Sequence, residues 1–141
     1  MFHGDGVLES NDMINFVLRI TNKGELHIDS YVELPELAYM IITDIEINNL
    51  NTGEANSYSA GDLKRKIKDI NINPGETIEI TITAFVKEVE EDITDEVYAN
   101  IISDKIINVT TNKINLTIKK FEEYREVNID NETIEFIPIS L

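Results

Sequence analysis

The sequence contains no cysteine and no tryptophan, and it has only six glycines and three prolines in 141 residues. Without cysteine there is no disulfide framework, no thiolate metal site and no cysteine nucleophile. No apolar run approaches the roughly 18–20 residues of a membrane-spanning helix. The first ten residues, MFHGDGVLES, also lack the basic and apolar regions of a signal peptide. We therefore expect either a cytoplasmic protein or a segment of a longer chain.

Positive charge is scarce. Twelve lysines and arginines stand against 27 aspartates and glutamates, which leaves a formal net charge of −15. Such a chain is repelled by nucleic-acid phosphates and by anionic membranes. The composition predicts no nucleic-acid partner and no direct insertion into a membrane.

The length and composition predict one globular domain dominated by β-structure. A chain of 141 residues has room for a single domain, and its 42% apolar and 28% charged residues are near the globular norm. Isoleucine is far more frequent than leucine, 24 residues against 9, and there are only five alanines. This mixture favours strands over helices.

Alternation of apolar and polar residues predicts four clear strands. In residues 77–89, TIEITITAFVKEV, the side chains of Ile78, Ile80 and Ile82 share one face and polar residues take the other. A helix would separate successive members of this set by about 200° and scatter them. The same period of two recurs in residues 13–21, 96–103 and 113–119.

Weaker patterns predict further strands at residues 26–34, 40–48, 63–72, 105–111 and 133–139. Turn signals separate them at Asn22-Lys23-Gly24, Asn51-Thr52-Gly53 and Asn73-Pro74-Gly75. Only residues 35–39 and 121–126 have the character of short helical turns. The pattern predicts an all-β, antiparallel two-sheet sandwich of seven to nine strands over residues 13–120. Residues 1–12 form an amino-terminal extension, and residues 121–141 either pack as a strand or lead into another module.

Four stretches, in order, resemble motifs of a known family. They are VLRITNKG (17–24), SYVELPEL (30–37), ININPGETIEITITAFVK (70–87) and EVYANIIS (96–103). They are similar to the "T-x-T-V-T-N-x-G", "V-x-D-x-L-P-x-G-L", "P-G-E-S" hairpin and "x-N-x-A-x-V-S" elements of the conserved repeat domain of bacterial and archaeal surface proteins. Leu37 and Glu33 depart from the family's usual glycine and aspartate. The resemblance implies an Ig-like fold.

The resemblance also implies a role. It predicts a non-catalytic structural or interaction module, a spacer or adhesion domain of a bacterial, for example Gram-positive, cell-surface protein. Its partners would be neighbouring domains or other surface proteins, and its location extracellular. The alternative is a sandwich that binds calcium, a glycan or a host protein. A cytoplasmic location stays open.

The residues indicate no catalytic site and no cofactor. The bases that titrate near neutrality are His3, in an aperiodic amino-terminal segment, and His27, beside a turn. No G-x-S-x-G motif is present, and nothing singles out two of the 27 acids as a catalytic pair. We expect the protein not to be an enzyme.

The densest group of potential metal ligands lies between two predicted strands. Six carboxylates fall within nine residues: Glu88, Glu90, Glu91, Asp92, Asp95 and Glu96. Calcium prefers such hard oxygen ligands, but the spacing matches no 12-residue calcium loop. We therefore assign no metal site and treat these acids as weak calcium candidates on a solvated hairpin tip. A second oxygen-rich loop, with Asn128, Asp130 and Glu132, is a weaker candidate.

Two other side-chain sets are potential contacts. In the absence of tryptophan, a glycan would stack on tyrosine, and the chain has five: Tyr31, Tyr39, Tyr58, Tyr98 and Tyr124. The basic row consists of Lys64, Arg65, Lys66 and Lys68. Such a row pairs with acids of a neighbouring copy or keeps an edge strand from sticking to other chains.

Overall fold

The computed structural model describes residues 2–3, 5–59, 66–123 and 132–141. These residues form fourteen strands and no helix. The strands are β1 (Phe2–His3), β2 (Asp5–Glu9), β3 (Met13–Thr21), β4 (Ile28–Glu33), β5 (Met40–Asn49), β6 (Ala55–Ser59), β7 (Lys66–Ile72), β8 (Thr77–Val86), β9 (Ile93–Val97), β10 (Asn100–Ser103), β11 (Val109–Thr110), β12 (Ile114–Lys119), β13 (Glu132–Glu135) and β14 (Ile139–Ser140).

Strands β3 and β8 form the centre of the fold because their apolar faces coincide. They pair antiparallel over nine residues, and the register places Leu18 opposite Ile80 and Phe16 opposite Ile82. All four side chains are at most 2% exposed. Burying each contributes about 1.5–3 kcal/mol of transfer free energy. The predicted inward face of β8 is confirmed.

Sheet 1 is built outward from this pair in both directions. On one side, β8 pairs antiparallel with β5, and β5 with β6. On the other side, β13 and β14 both run parallel to β3, and β1 runs parallel to β13. Pro138 lies between β13 and β14. Since proline has no N–H to donate, it marks the interruption between these two strands.

Sheets 2 and 3 are connected by two segments of the chain, because β9 and β12 belong to sheet 3 while β10 and β11 belong to sheet 2. Sheet 2 has the order β11-β10-β4-β7, and sheet 3 the order β2-β12-β9, in which β2 runs parallel to β12. The chain passes from β9 to β10 through Tyr98 and Ala99, opposite the break between β11 and β12. There Thr111 donates its N–H to the Ala99 carbonyl, and its Oγ1 accepts the Ala99 N–H, both at 2.9 Å. Sheets 2 and 3 therefore meet at the hydrogen bonds between Ala99 and Thr111.

The core is shared by all three sheets, which gives a sandwich-like packing. One continuous cluster contains buried side chains of sheet 1 (Ile14, Phe16, Leu18, Ile80, Ile134), sheet 2 (Val32, Ile67, Ile101) and sheet 3 (Leu8, Leu116, Ile118). Phe16 and Phe136 approach with ring centroids 6.2 Å apart. The predicted terminal extensions therefore contribute Leu8, Ile134 and Phe136 to the core, each at most 1% exposed.

The structure confirms an all-β fold and corrects its details. A wholly antiparallel arrangement is wrong, because β1/β13, β13/β3, β14/β3 and β2/β12 are parallel pairs. The strand predicted at 96–103 is divided into β9 and β10, and the one at 105–111 shrinks to β11. Strands β1, β2 and β6 were not predicted. No helix forms at 35–39 or 121–123, where the structure has turns at 38–39 and at 123. Residues 63–65, 124–126 and the tail at 127–131 lie outside the described residues.

In the described part of the chain, no helix has the length and apolar character that crossing a membrane requires.

Candidate functional site

The six acids proposed as weak calcium ligands are directed to different partners. Glu88 accepts a hydrogen bond from Asn11 Nδ2 at 3.0 Å, and Glu96 lies 3.4 Å from Lys113 Nζ. Asp95 Oδ1 accepts the Glu96 N–H at 2.8 Å, while Glu90 and Glu91 are exposed. Within residues 5–59, 66–123 and 132–141, no three acidic or histidine side chains converge as ligands for a metal ion.

Asp92 joins two connections of the fold. Its Oδ1 accepts the backbone N–H of Lys120 at 2.9 Å, and its Oδ2 lies 3.3 Å from Lys119 Nζ. These two hydrogen bonds hold the pKa of the Asp92 carboxyl below its usual value. Asp92 therefore fastens the segment before β9 to the end of β12.

Of the three residues of the second oxygen-rich loop, the structure describes Glu132, while Asn128 and Asp130 lie outside the described residues. Glu132 begins β13, and its Oε2 is buried without a hydrogen-bond partner. Burial, and then the nearby charges of Asp12 and Glu9, raise the pKa of Glu132.

His27 bridges three loops at one end of the sheets. Its Nδ1 lies 2.6 Å from Asn73 Oδ1, and its Nε2 lies 2.6 Å from Asp29 Oδ1. Because acceptors face both ring nitrogens, the bonds to Asn73 and Asp29 favour imidazolium and raise the pKa of His27. Lys105 Nζ donates to the His27 carbonyl at 2.6 Å. His3 lies on β1, remote in sequence from this group.

Arg19 connects three adjacent strands of sheet 1. From β3, its Nε donates to Glu79 on β8 at 2.8 Å, and its Nη1 donates to Glu135 on β13 at 3.0 Å. The Glu135 side chain is only 11% exposed. The arginine thus holds the parallel strand β13 against β3. Sequence reasoning missed this group because its members are 60 and 116 residues apart.

The turns of two family-like motifs are hydrogen-bonded to each other through Asn22. Its fully buried side chain donates to the carbonyls of Leu26 and Ile72 at 2.7 and 2.9 Å, and accepts the Gly24 N–H at 3.0 Å. Its own carbonyl accepts the Gly75 N–H at 2.7 Å. The N-x-G and P-G-E turns therefore form one structural unit.

Two of the four tyrosines that the structure describes lie beneath a lysine. Lys66 Nζ is 5.3 Å from the ring centroid of Tyr31, and Lys113 Nζ is 5.9 Å from that of Tyr98. Tyr39 and Tyr58 pack, partly buried, against the core. Tyr124, Lys64 and Arg65 lie outside the described residues.

Tyr31 lines an open groove of about 760 Å³. The groove lies across β10, β4 and β7, on the face of sheet 2 turned away from the core. Ile102 lies beside Tyr31 in the strand register, and Lys66, Lys68 and Asn71 line the groove from β7. These residues come from three strands that are far apart in sequence but adjacent in the sheet.

A β-bulge shapes one wall of this groove. In the β4/β7 register, Ser30 pairs with Ile70 and Val32 with Ile67, so Lys68 and Asp69 together stand opposite Tyr31. Asp69 has a φ of 59°, in the left-handed region. This conformation costs an aspartate about 1 kcal/mol. It allows Ile67 and Ile70 to stay buried while two consecutive polar residues are exposed.

In comparisons with known proteins, no family model, no curated protein and no solved structure matches this chain. The resemblance of its motifs to the surface repeat domain stays a prediction.

Proposed function

We propose that this chain is a non-catalytic, load-bearing module of a bacterial cell-surface protein, with an Ig-like sandwich acting as a spacer between neighbouring domains or surface proteins. The extracellular setting is supported by the four motif resemblances. The mechanical role is supported by one observation: the first two and the last of the described strands are bound in parallel to other strands.

Parallel pairing determines how the terminal strands carry tension. β1 and β14 run in the same direction in sheet 1. When the two chain ends are pulled apart, the force acts on the start of β1 and on the end of β14, in each case along the strand axis. The ladder bonds are then loaded in shear and share the force. A strand peeled sideways would lose its bonds one at a time.

The amino-terminal segment is attached to both sheet 1 and sheet 3. After β1 pairs with β13 in sheet 1, β2 pairs with β12 in sheet 3 over five residues. At the end of β2, the buried Ser10 donates its hydroxyl to the Lys119 carbonyl at 3.0 Å and accepts the Val89 N–H at 3.2 Å. Extraction of this segment requires both ladders to fail.

The charged side chains support a structural role. Arg19 joins β8, β3 and β13, and Asp92 joins the β8–β9 connection to β12. Such groups brace strands instead of converging on a reacting atom.

Single-molecule force spectroscopy tests this proposal in two pulling geometries. In the first, handles are fused to the two chain ends. In the second, handles are attached through Lys23→Cys and Pro74→Cys, exposed positions at adjacent ends of the antiparallel β3/β8 ladder. The chain has no other cysteine, so attachment is unambiguous.

We expect a single rupture at high force through the chain ends, and unfolding at clearly lower force in the second geometry, which opens the β3/β8 ladder from one end. Equal forces in the two geometries, or a lower force through the chain ends, would contradict the load-bearing role.

A further inference from the structure

The groove on sheet 2 has a chemical composition that the load-bearing role does not use. Its floor is formed by Tyr31 and Ile102, adjacent in the register of β4 and β10. Its rim carries two lysines, an asparagine and three aspartates: Lys66, Lys68, Asn71, Asp29, Asp69 and Asp104. It therefore combines an aromatic and aliphatic surface with both hydrogen-bond donors and acceptors.

The charges of the rim disfavour ligands with a large net charge of either sign. An anionic ligand would meet three aspartates in a chain of net charge −15, and a cationic ligand would meet Lys66 and Lys68. A neutral ligand rich in hydroxyl groups faces neither penalty. Each hydroxyl both donates and accepts, so it is served equally by carboxylates, amide and ammonium groups.

Lys66 is available to a ligand. Its Nζ lies 5.3 Å from the Tyr31 ring centroid, and no described acidic residue lies within ion-pair distance of it. A cation–π contact at an exposed site is weak. The ammonium is therefore free to move from the ring face to a ligand hydroxyl at little cost.

The backbone next to the groove is strained. Asp69 adopts a left-handed φ of 59° in a β-bulge of β7, opposite Tyr31. Bulges and left-handed residues that are not glycine cluster at binding sites, where they direct side chains to a ligand. Here the bulge directs both Lys68 and Asp69 to the groove.

We propose that this groove binds a neutral oligosaccharide, with a sugar ring packed on Tyr31 and Ile102 and its hydroxyls bonded by Lys66, Lys68 and Asn71. The volume of about 760 Å³ falls within the range of about 300–1,000 Å³ of small-molecule sites. The open shape suits a segment of a longer glycan. This activity is independent of the load-bearing role, since none of these side chains belongs to the parallel strand pairs.

Two-dimensional NMR of the ¹⁵N-labelled full chain tests the proposal. The probes are cellohexaose, xylohexaose and maltohexaose as neutral oligosaccharides, and hexagalacturonate as an anionic one. We expect at least one neutral hexasaccharide to shift the amide signals of Tyr31, Lys68 and Ile102 with a Kd below about 1 mM. Hexagalacturonate is expected to bind at least about tenfold more weakly.

The matched variants are Tyr31→Ala and Tyr98→Ala, because both tyrosines are half-buried beneath a lysine and only Tyr31 lines the groove. Tyr31→Ala should weaken binding at least about tenfold, and Tyr98→Ala should leave it unchanged. Lys66→Ala, at an exposed position where substitution should change stability little, gives a second test and should also weaken binding.

Three results would overturn the proposal. The first is the absence of any shift with all three neutral probes at a concentration of about 10 mM, ten times the expected upper limit of the Kd. The others are tighter binding of hexagalacturonate than of the neutral probes, and equal loss of binding in Tyr31→Ala and Tyr98→Ala. The force measurement would be unaffected by any of them, so failure of this inference is separate from failure of the mechanical role.

Discussion

At the scale of single residues, the polar groups inside this protein differ in how well they are satisfied. Asn22 is fully buried, and its amide makes three hydrogen bonds. Glu132, by contrast, buries a carboxylate oxygen that has no partner. Because buried polar groups are costly when unpaired, the two residues should respond oppositely to substitution.

We expect Asn22→Ala to lower the free energy of unfolding by about 2–4 kcal/mol, because it leaves the Leu26 and Ile72 carbonyls without their donor. Urea denaturation measures this loss. Asn71→Ala is the matched control, since Asn71 is exposed and the change should stay within about 0.5 kcal/mol. Equal effects of the two substitutions would refute the role given to Asn22.

Glu132→Gln should stabilise the protein at neutral pH. Burial and the charges of Asp12 and Glu9 raise the pKa of Glu132, so its ionised form is disfavoured in the folded state. An acid whose folded pKa is raised loses stability as pH rises from its unfolded pKa through its folded pKa. The gain in melting temperature of Glu132→Gln over the parent should therefore be larger at pH about 7 than at pH about 4. A gain that is equal at both pH values, or a loss at neutral pH, would show that charge burial is not the cause.

At the scale of strands, the sequence predicted those elements whose alternation has one buried and one wet face. The bounds of β3 were predicted in full and those of β8 within three residues at one end, because every second side chain faces the core. β6 was missed because its side chains are mainly exposed and carry no alternation. β2 was missed because it is short, begins with Asp5-Gly6 and lies in the amino-terminal segment, where no alternation of apolar and polar residues is recognisable.

Other features of the strands depend on contacts that are remote in sequence. The strand is interrupted between β9 and β10 at Ala99, whose N–H donates to the Thr111 hydroxyl oxygen instead of to a backbone carbonyl. No local sequence pattern reveals this contact. Likewise, Tyr31 and Lys66 were each singled out, but their meeting in the groove depends on the order β10-β4-β7. The sequence therefore identified residues of the candidate site but could not predict that they lie next to each other.

Arg19→Gln should loosen β13 before the rest of sheet 1. Arg19 joins β3 to Glu135, and the loss of unfolding free energy should be about 1–2 kcal/mol, since 38% exposure of the arginine screens part of the pairing. Amide hydrogen exchange should be accelerated by Arg19→Gln more strongly at Ile134 and Phe136 than at Ile80. Lys113→Gln, which removes the exposed pair with Glu96, should change neither quantity measurably. Uniform acceleration in all strands would argue against a local clamp.

At the scale of the whole molecule, both ends of the chain are incorporated into the sheets by parallel pairing. β2 joins β12, and β13 and β14 join β3. The sequence could not predict this direction, because alternation defines which face of a strand is buried and is silent on which neighbour it meets. The buried Leu8, Ile134 and Phe136 supply the packing that keeps these strands in place. The load-bearing role depends on this arrangement.

Disulfide cross-linking tests the parallel direction most directly, since the chain has no native cysteine. The register places Glu9 opposite Lys119 and Asp5 opposite Asn115. An antiparallel pairing about the same centre would instead place Glu9 opposite Asn115. We expect Glu9→Cys/Lys119→Cys to form an intramolecular disulfide under mild oxidation, and Glu9→Cys/Asn115→Cys not to form one. A cross-link in the second variant but not in the first would contradict the parallel attachment of the amino-terminal strand, and with it the load-bearing role.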